Sequence, residues 1–139
     1  MKAGYRRFGT TADVGVVSFG SDMKDAFERQ AQGMFSIMAD PRHVRLRQKY
    51  AVEAVGPDPE GLLAAFLEEL LFIFDVKGVL LRRFDITSQD DTHLTAEAYG
   101  EEIDQSRHVM KTPIKAVTYH MIEVKQTPDG VRTRVVYDI

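Results

Sequence analysis

Asp58-Pro59-Glu60-Gly61-Leu62-Leu63-Ala64-Ala65-Phe66-Leu67-Glu68-Glu69-Leu70-Leu71-Phe72-Ile73-Phe74-Asp75-Val76-Lys77-Gly78-Val79-Leu80-Leu81-Arg82-Arg83-Phe84-Asp85-Ile86 is the stretch on which the fold turns. Gly56-Pro57-Asp58-Pro59 reads as a turn that ends in an N-cap, with proline at the first helical position where its missing N–H costs nothing. Leu62, Leu63, Phe66, Leu67, Leu70, Leu71 and Phe74 then recur at three- and four-residue steps and make a wide apolar stripe, with Glu68 and Glu69 turned outward. This predicts a helix buried in the core, ending between Asp75 and Gly78. From Val79 the period changes to two, and a helix followed directly by strand sequence begins to define an α+β domain.

Working outward, Val79 to Ile86, His93 to Tyr99, Ile114 to Val124 and Val131 to Ile139 read as four strands. Gln89-Asp90-Asp91, a longer loop around Asp104 to Lys111, and the hairpin signal Thr127-Pro128-Asp129-Gly130 separate them. Upstream, Tyr50 to Val55 alternates as a strand. A second helix is expected from Ser21, read as its cap with Asp22 and Asp25 in the first turn, to the stop at Asp40-Pro41. Met23, Ala26, Phe27, Ala31, Met34, Phe35 and Met38 fall on one face of it and read as core, with Gly33 permitting a close approach by another element. Tyr5 to Phe8 and Asp13 to Phe19 read as strands meeting at a Gly9-Thr10-Thr11 turn. The expected fold is one α+β domain over residues 1–139, two helices on a largely antiparallel sheet.

At 139 residues the chain is long enough to bury roughly two-thirds of its unfolded surface, so folding needs no disulfide or metal staple. There is no cysteine, no basic-then-apolar leader and no apolar run of bilayer-spanning length, which gives the expectation of a cytoplasmic protein without a membrane partner. With 18 basic and 21 acidic residues, the net charge of −3 offers no field to attract a polyanion, and a stand-alone RNA binder is disfavoured. The basic runs Arg42-His43-Val44-Arg45-Leu46-Arg47-Gln48-Lys49 and Arg82-Arg83 carry no interleaved aromatics for base stacking and read as solvated strand faces and loops.

No histidine or cysteine pair has zinc spacing, no glycine-rich loop precedes a helix in the phosphate-cradling pattern, and no serine sits in a nucleophile elbow. The chain is therefore not expected to be an enzyme. The chemistry that stands out lies near its two ends, in Asp13 and in Asp138-Ile139. Each aspartate adjoins apolar strand sequence, and Ile139 adds main-chain carboxylate oxygens. If the fold joins these segments, hard anionic oxygens converge in a way that suits a divalent cation. A lone aspartate at a strand start also serves as a turn former or structural acceptor, and His120 as a hydrogen-bonded sheet residue.

Taken in order, these segments resemble the archease family. The family's opening His-Thr-Ala-Asp-Ile-Gly is matched by Thr10-Thr11-Ala12-Asp13-Val14-Gly15. Its first helix is matched by Asp25-Ala26-Phe27 and Ala31-Gln32-Gly33-Met34-Phe35, and its second by Phe66-Leu67-Glu68-Glu69-Leu70-Leu71-Phe72. Gly100-Glu101, Arg107-His108, the block Lys111-Thr112-Pro113-Ile114-Lys115-Ala116-Val117-Thr118-Tyr119-His120 and the final Asp138-Ile139 complete the match. The resemblance implies nested strand-helix-strand-strand units. It also implies an accessory protein of tRNA splicing and RNA repair, which promotes guanylylation and repeated turnover of an RtcB-type RNA ligase that uses GTP and manganese and meets RNA only through that ligase. By the same resemblance Asp13, Asp138 and Ile139 form the metal site, with calcium, magnesium or manganese as the ion suited to its oxygens; Lys115 and His120 are candidates to help hold or contact it. One departure is Thr10, which stands where the family has histidine and cannot titrate near neutrality or ligate as an imidazole does. The alternatives are a chaperone-like or modulator module for nucleic-acid enzymes with a structural metal, and a hydrolase or nucleotide-binding enzyme built on the same acidic cluster.

Overall fold

The computed structural model describes residues 3–9 and 12–139. The expected turn at Thr10-Thr11 and the Thr10 exchange lie outside the described residues. In chain order the elements are β1 (Gly4–Gly9), β2 (Asp13–Gly20), α1 (Met23–Met38), a single 3-10 turn (Pro41–His43), β3 (Gln48–Val55), α2 (Pro59–Lys77), β4 (Val79–Gln89), β5 (His93–Glu102), β6 (Ala116–Val117), β7 (Glu123–Thr127) and β8 (Gly130–Asp138).

All strand pairings are antiparallel, and the strands divide between two sheets where the sequence suggested one. The division follows from the connectivity. In β3-α2-β4-β5 the last strand pairs with the first and, by hairpin, with the one before it, giving the order β3-β5-β4. In β2-α1-β7-β8 the same rule places β8 between β2 and β7. The first of these units is inserted whole between α1 and β6 of the second, as the resemblance implied. β1 covers the free side of β2, and β6 pairs with the end of β8 beyond β7.

Both helices start and stop for the reasons the sequence carries, with one shift. Asp58 caps α2 by accepting from the Gly61 N–H at 2.7 Å, Pro59 opens it, and Gly78 in the left-handed region (φ 63°) ends it by donating its N–H to Phe74 O. At α1 the cap is Asp22, where Ser21 was expected. The Asp22 carboxylate accepts from Asp25 N–H at 2.8 Å, and Asp25 in turn accepts from the Ser21 N–H at 2.9 Å. Asp22 thus caps the first turn while Asp25 reaches back past it to the Ser21 N–H, and Ser21 stands one position too early to be the cap itself. The α1 stripe is buried as expected apart from half-buried Met23, and a Cβ on Gly33 would sit 2.5 Å from Val16 Cγ1, so only glycine admits β2 this closely.

One apolar core lies between the helices and both sheets. Phe66 of α2 stacks on Phe27 of α1 with centroids 6.4 Å apart, and Phe35 meets Phe74 edge-on and Phe84 of β4 at a tilt. Buried in this core is a small polar network. The Tyr137 hydroxyl donates to Gln30 Oε1 at 2.7 Å, and Gln30 Nε2 donates to Val16 O at 3.0 Å and Thr133 Oγ1 at 2.8 Å. Complete burial raises the Tyr137 phenol well above its ordinary range, so it remains a donor. Tyr137→Phe therefore strands the Gln30 carbonyl in the core. The expected loss is about 1–3 kcal/mol, read from urea unfolding midpoints.

The expected strand from Ile114 to Val124 is broken. Only Ala116–Val117 and Glu123–Thr127 pair with β8, and the intervening residues form a turn in which Met121 adopts φ 57°. Ile114 and Val117 are both buried, three residues apart, a spacing that no single straight strand can place on one face.

Candidate functional site

The β2–β8 ladder sets Asp13 directly opposite Asp138. Residues paired this way share a face of the sheet. The alternate positions Val16, Ser18, Thr133, Val135 and Tyr137 are buried toward α1, so the aspartates belong to the face turned away from that helix. On the other side of β8, Ala116 pairs with Asp138, and the Lys115 N–H donates to Asp138 O at 2.7 Å. Ile139 follows immediately, half-buried, with its side chain on the edge of the core. The three residues singled out in the sequence are thus brought together by a single strand register.

Two carboxylates facing each other across a ladder repel, and cross-strand like charges destabilise a sheet by fractions of a kcal/mol. Neither carboxylate has a hydrogen bond or ion pair with another described residue. Both are partly exposed to solvent. Among the described residues no three His, Cys, Asp or Glu side chains come together as a metal cluster. A hard cation on this face would meet the two side-chain carboxylates, with the chain running on from Asp138 into Ile139.

The turn after β6 folds over this face. Thr118 fastens it, its N–H and its hydroxyl both donating to Val136 O at 3.1 and 2.7 Å, and Arg134 Nε donates to Met121 O at 2.8 Å. A cavity of about 60 Å³ is left beneath, walled by Phe8, Gly9, Asp13, Gly15, His120, Met121 and Val136. The structure thus brings His120 beside Asp13. Lys115 instead lines a wider cavity of about 320 Å³ on the other side of β6, with Glu68, Leu71, Phe72 and Asp75 of α2.

A second polar cluster was visible in the sequence only as the pairs Gly100-Glu101 and Arg107-His108. Glu101, on β5, is buried and accepts from Arg107 Nη2 at 2.6 Å, from the Arg45 N–H at 2.7 Å and from His108 Nε2 at 2.8 Å. His108 is itself buried, and its Nδ1 accepts from the Asp104 N–H at 2.8 Å, so the ring proton resides on Nε2. Chiefly through Arg107, and then through these other donors, the Glu101 carboxyl is held down to about 2 in spite of its burial. All of its donors lock it as a base of negligible strength. The cluster therefore joins β5, the segment before β3 and the 103–111 loop.

Fold and site define a small α+β protein, two nested strand-helix-strand-strand units that close on a pair of opposed carboxylates. Residues 5–139 match the model of the Archease protein family (MTH1598/TM1083). The protein archease of Methanothermobacter thermautotrophicus is 36% identical over 139 residues, covering 98% of this chain and 99% of that one, and the protein archease of Pyrococcus abyssi is 37% identical over 123 residues, covering 86% and 87%. The solution structure of Methanobacterium thermoautotrophicum protein 1598 superposes with a TM-score of 0.84 at 37% identity, over 98% of this chain and 99% of that one. The crystal structure from Thermotoga maritima, described as an archease and possible chaperone, shares the fold with a TM-score of 0.64 at 18% identity, over 96% of each chain. The chain belongs to the archease family. No helix of the described residues is long and apolar enough to cross a membrane.

Proposed function

We propose that this protein is an accessory factor of an RtcB-type RNA ligase in tRNA splicing or RNA repair, acting in the cytoplasm and promoting guanylylation and repeated turnover through a divalent cation at Asp13, Asp138 and the main-chain oxygen of Ile139. The observation that carries this reading is the β2–β8 register, which opposes two carboxylates with no basic partner among the described residues. A structural pair would be relieved by an arginine or lysine, whereas a site meant for a cation leaves both charges free. Family membership supports the ligase as partner, and RNA is met only through it.

Asp13, Asp138 and Ile139 would hold a calcium, magnesium or manganese ion, which would supply positive charge to offset the negative charge of nucleotidyl transfer. The protein's own residues do the positioning. The two strands fix the spacing of the carboxylates, the Lys115 N–H holds the Asp138 backbone, and the Thr118-anchored turn carries His120 over Asp13. The covalent chemistry stays with the ligase.

The test is multiple-turnover RNA ligation at limiting ligase, with the native protein, with its Asp13→Ala and Asp138→Ala variants, and without it. Stimulation is expected from the native protein and to fall at least about tenfold in each variant, the scale of loss seen when groups that hold a metal are removed. Both substitutions sit at half-exposed positions and remove a repulsion, so the variants are expected to fold, checked by unchanged circular dichroism. An active ligase that the native protein fails to stimulate overturns the reading. A chaperone-like binding module is the second reading, favoured by exposed apolar Phe72, Val76 and Tyr119. It predicts suppression of client aggregation that Asp138→Ala leaves intact.

A further inference from the structure

The two basic runs of the sequence meet in space. A cavity of about 300 Å³ is walled by Arg42, His43, Val44, Arg45, Arg82 and Arg107. These come from the 3-10 turn, the segment entering β3, the strand β4 and the loop after β5. Four guanidinium groups and an imidazole line it, and no carboxylate does. In a chain of net charge −3, this is a local excess of positive charge: Arg42 and Arg107 are paired with Asp40 and Glu101, while Arg45 and Arg82 have no carboxylate partner among the described residues.

The arginines are also fastened from behind. Asp40 takes Arg42 through Nε at 3.0 Å and Nη2 at 2.6 Å, and Glu101 takes Arg107 Nη2. Arg107 Nη1 donates to His43 O at 3.0 Å, and Arg82 Nη1 donates to Val44 O at 3.1 Å. The Arg45 side chain makes no such bond to a described residue, although its N–H is held by Glu101. Three guanidinium planes are thereby positioned with donors to spare, and the buried Glu101–His108 pair sets where Arg107 stands. Fixed forks of this kind match the oxygens of a tetrahedral dianion and lose little side-chain freedom on binding.

We propose that this cavity is a binding site for a phosphomonoester, the terminal phosphate of a small phosphorylated molecule such as a nucleotide, or of an RNA end. Recognition stops at the phosphate. The cavity has no Phe, Tyr or Trp to stack a base, and the neighbouring cavity sets Glu101, Glu102 and Asp104 against Arg47 and Arg107, an acidic excess that disfavours a following phosphate. A continuous polynucleotide backbone therefore does not fit, while a single dianionic group does. The site shares no residue with the Asp13–Asp138 pair, and its existence does not depend on the ligase reading.

The experiment is a ¹⁵N–¹H NMR titration that follows the arginine Nε–Hε signals, with inorganic phosphate, adenosine 5′-monophosphate, and a short oligoribonucleotide carrying either a 5′-phosphate or a 5′-hydroxyl. Saturable shifts at Arg45, Arg82 and Arg107 are expected with phosphate, lost about tenfold in affinity in Arg82→Gln and Arg45→Gln. Unchanged backbone spectra in these exposed-site variants establish that they are folded. Tighter binding of the mononucleotide assigns the site to a small molecule, and tighter binding of the 5′-phosphorylated oligonucleotide assigns it to an RNA end. The proposal is overturned if no saturable shift develops at these arginines by about 10 mM phosphate. Equal binding of the 5′-hydroxyl oligonucleotide, or undiminished binding by both variants, overturns it as well.

Discussion

Replacing Glu101 by glutamine is expected to cost about 3 kcal/mol of stability, measured as the shift in urea midpoint at neutral pH. The change keeps the shape of the side chain and removes its charge, so the loss reports electrostatics and not a cavity. Three donors converge on the carboxylate from Arg45, Arg107 and His108, and a glutamine amide would turn a donor of its own toward them. Arg107 is about a third exposed and recovers part of its hydration when the partner goes, which holds the cost below the upper range for a buried pair. The acid limb of the stability curve gives a second reading. The folded carboxyl lies at about 2, below the usual 4.5, so its contribution is complete above the ordinary value and is lost as pH falls from there through 2. The glutamine variant should lack that part of the acid dependence. Equal midpoints for the two proteins at neutral pH would show that the cluster does not stabilise the fold.

Phe66→Ala is expected to be at least as damaging, about 3–5 kcal/mol, because it removes the ring by which the two nested units hold each other. Phe66 is fully buried in α2 and stacks on Phe27 of α1, and the core around it includes side chains from both sheets, which cannot collapse together into the space it leaves. Calorimetry should show the melting temperature lowered on the order of 10 °C or more. Phe72→Ala, six residues along the same helix but exposed, is the control and should move stability by no more than about 0.5 kcal/mol. A comparable loss from the two substitutions would contradict the orientation of α2.

Both contrasts bear on what a sequence can reveal. The face that α2 buries was legible because a helix repeats its burial locally, and Asp58, Pro59 and Gly78 mark its limits in single residues. Asp13 and Asp138 were legible as chemistry, but their opposition depends on which strand lies beside which, and the alternation of a strand specifies its faces and not its neighbours. For the same reason the partition into two sheets was not visible. Glu101 carried no local sign of its role, since Arg45 arrives from a distant segment and Arg107 and His108 reach it only through the fold of the loop after β5. The arginines of the two basic runs read as solvated because each run alone is solvated, and only the approach of β4 to the 3-10 turn gives them a common wall. The break after Val117 was hidden by β-branched and aromatic residues that favour a strand wherever they occur.

The insertion of β3-α2-β4-β5 between α1 and the last strands also fixes an order of events during synthesis. The inner unit is made of consecutive segments and closes through local loops, so it has all its parts while the ribosome is still reading the remainder. The outer unit cannot close then, because β2 waits with one side bare for a strand that has yet to be translated. Asp13 gains its counterpart only when β8 arrives, at the largest loop closure in the molecule. A chain halted after β5 and before β8 holds all parts of the inner unit and no paired carboxylates. Pairing of the two carboxylates therefore comes after the inner unit already has all of its strands.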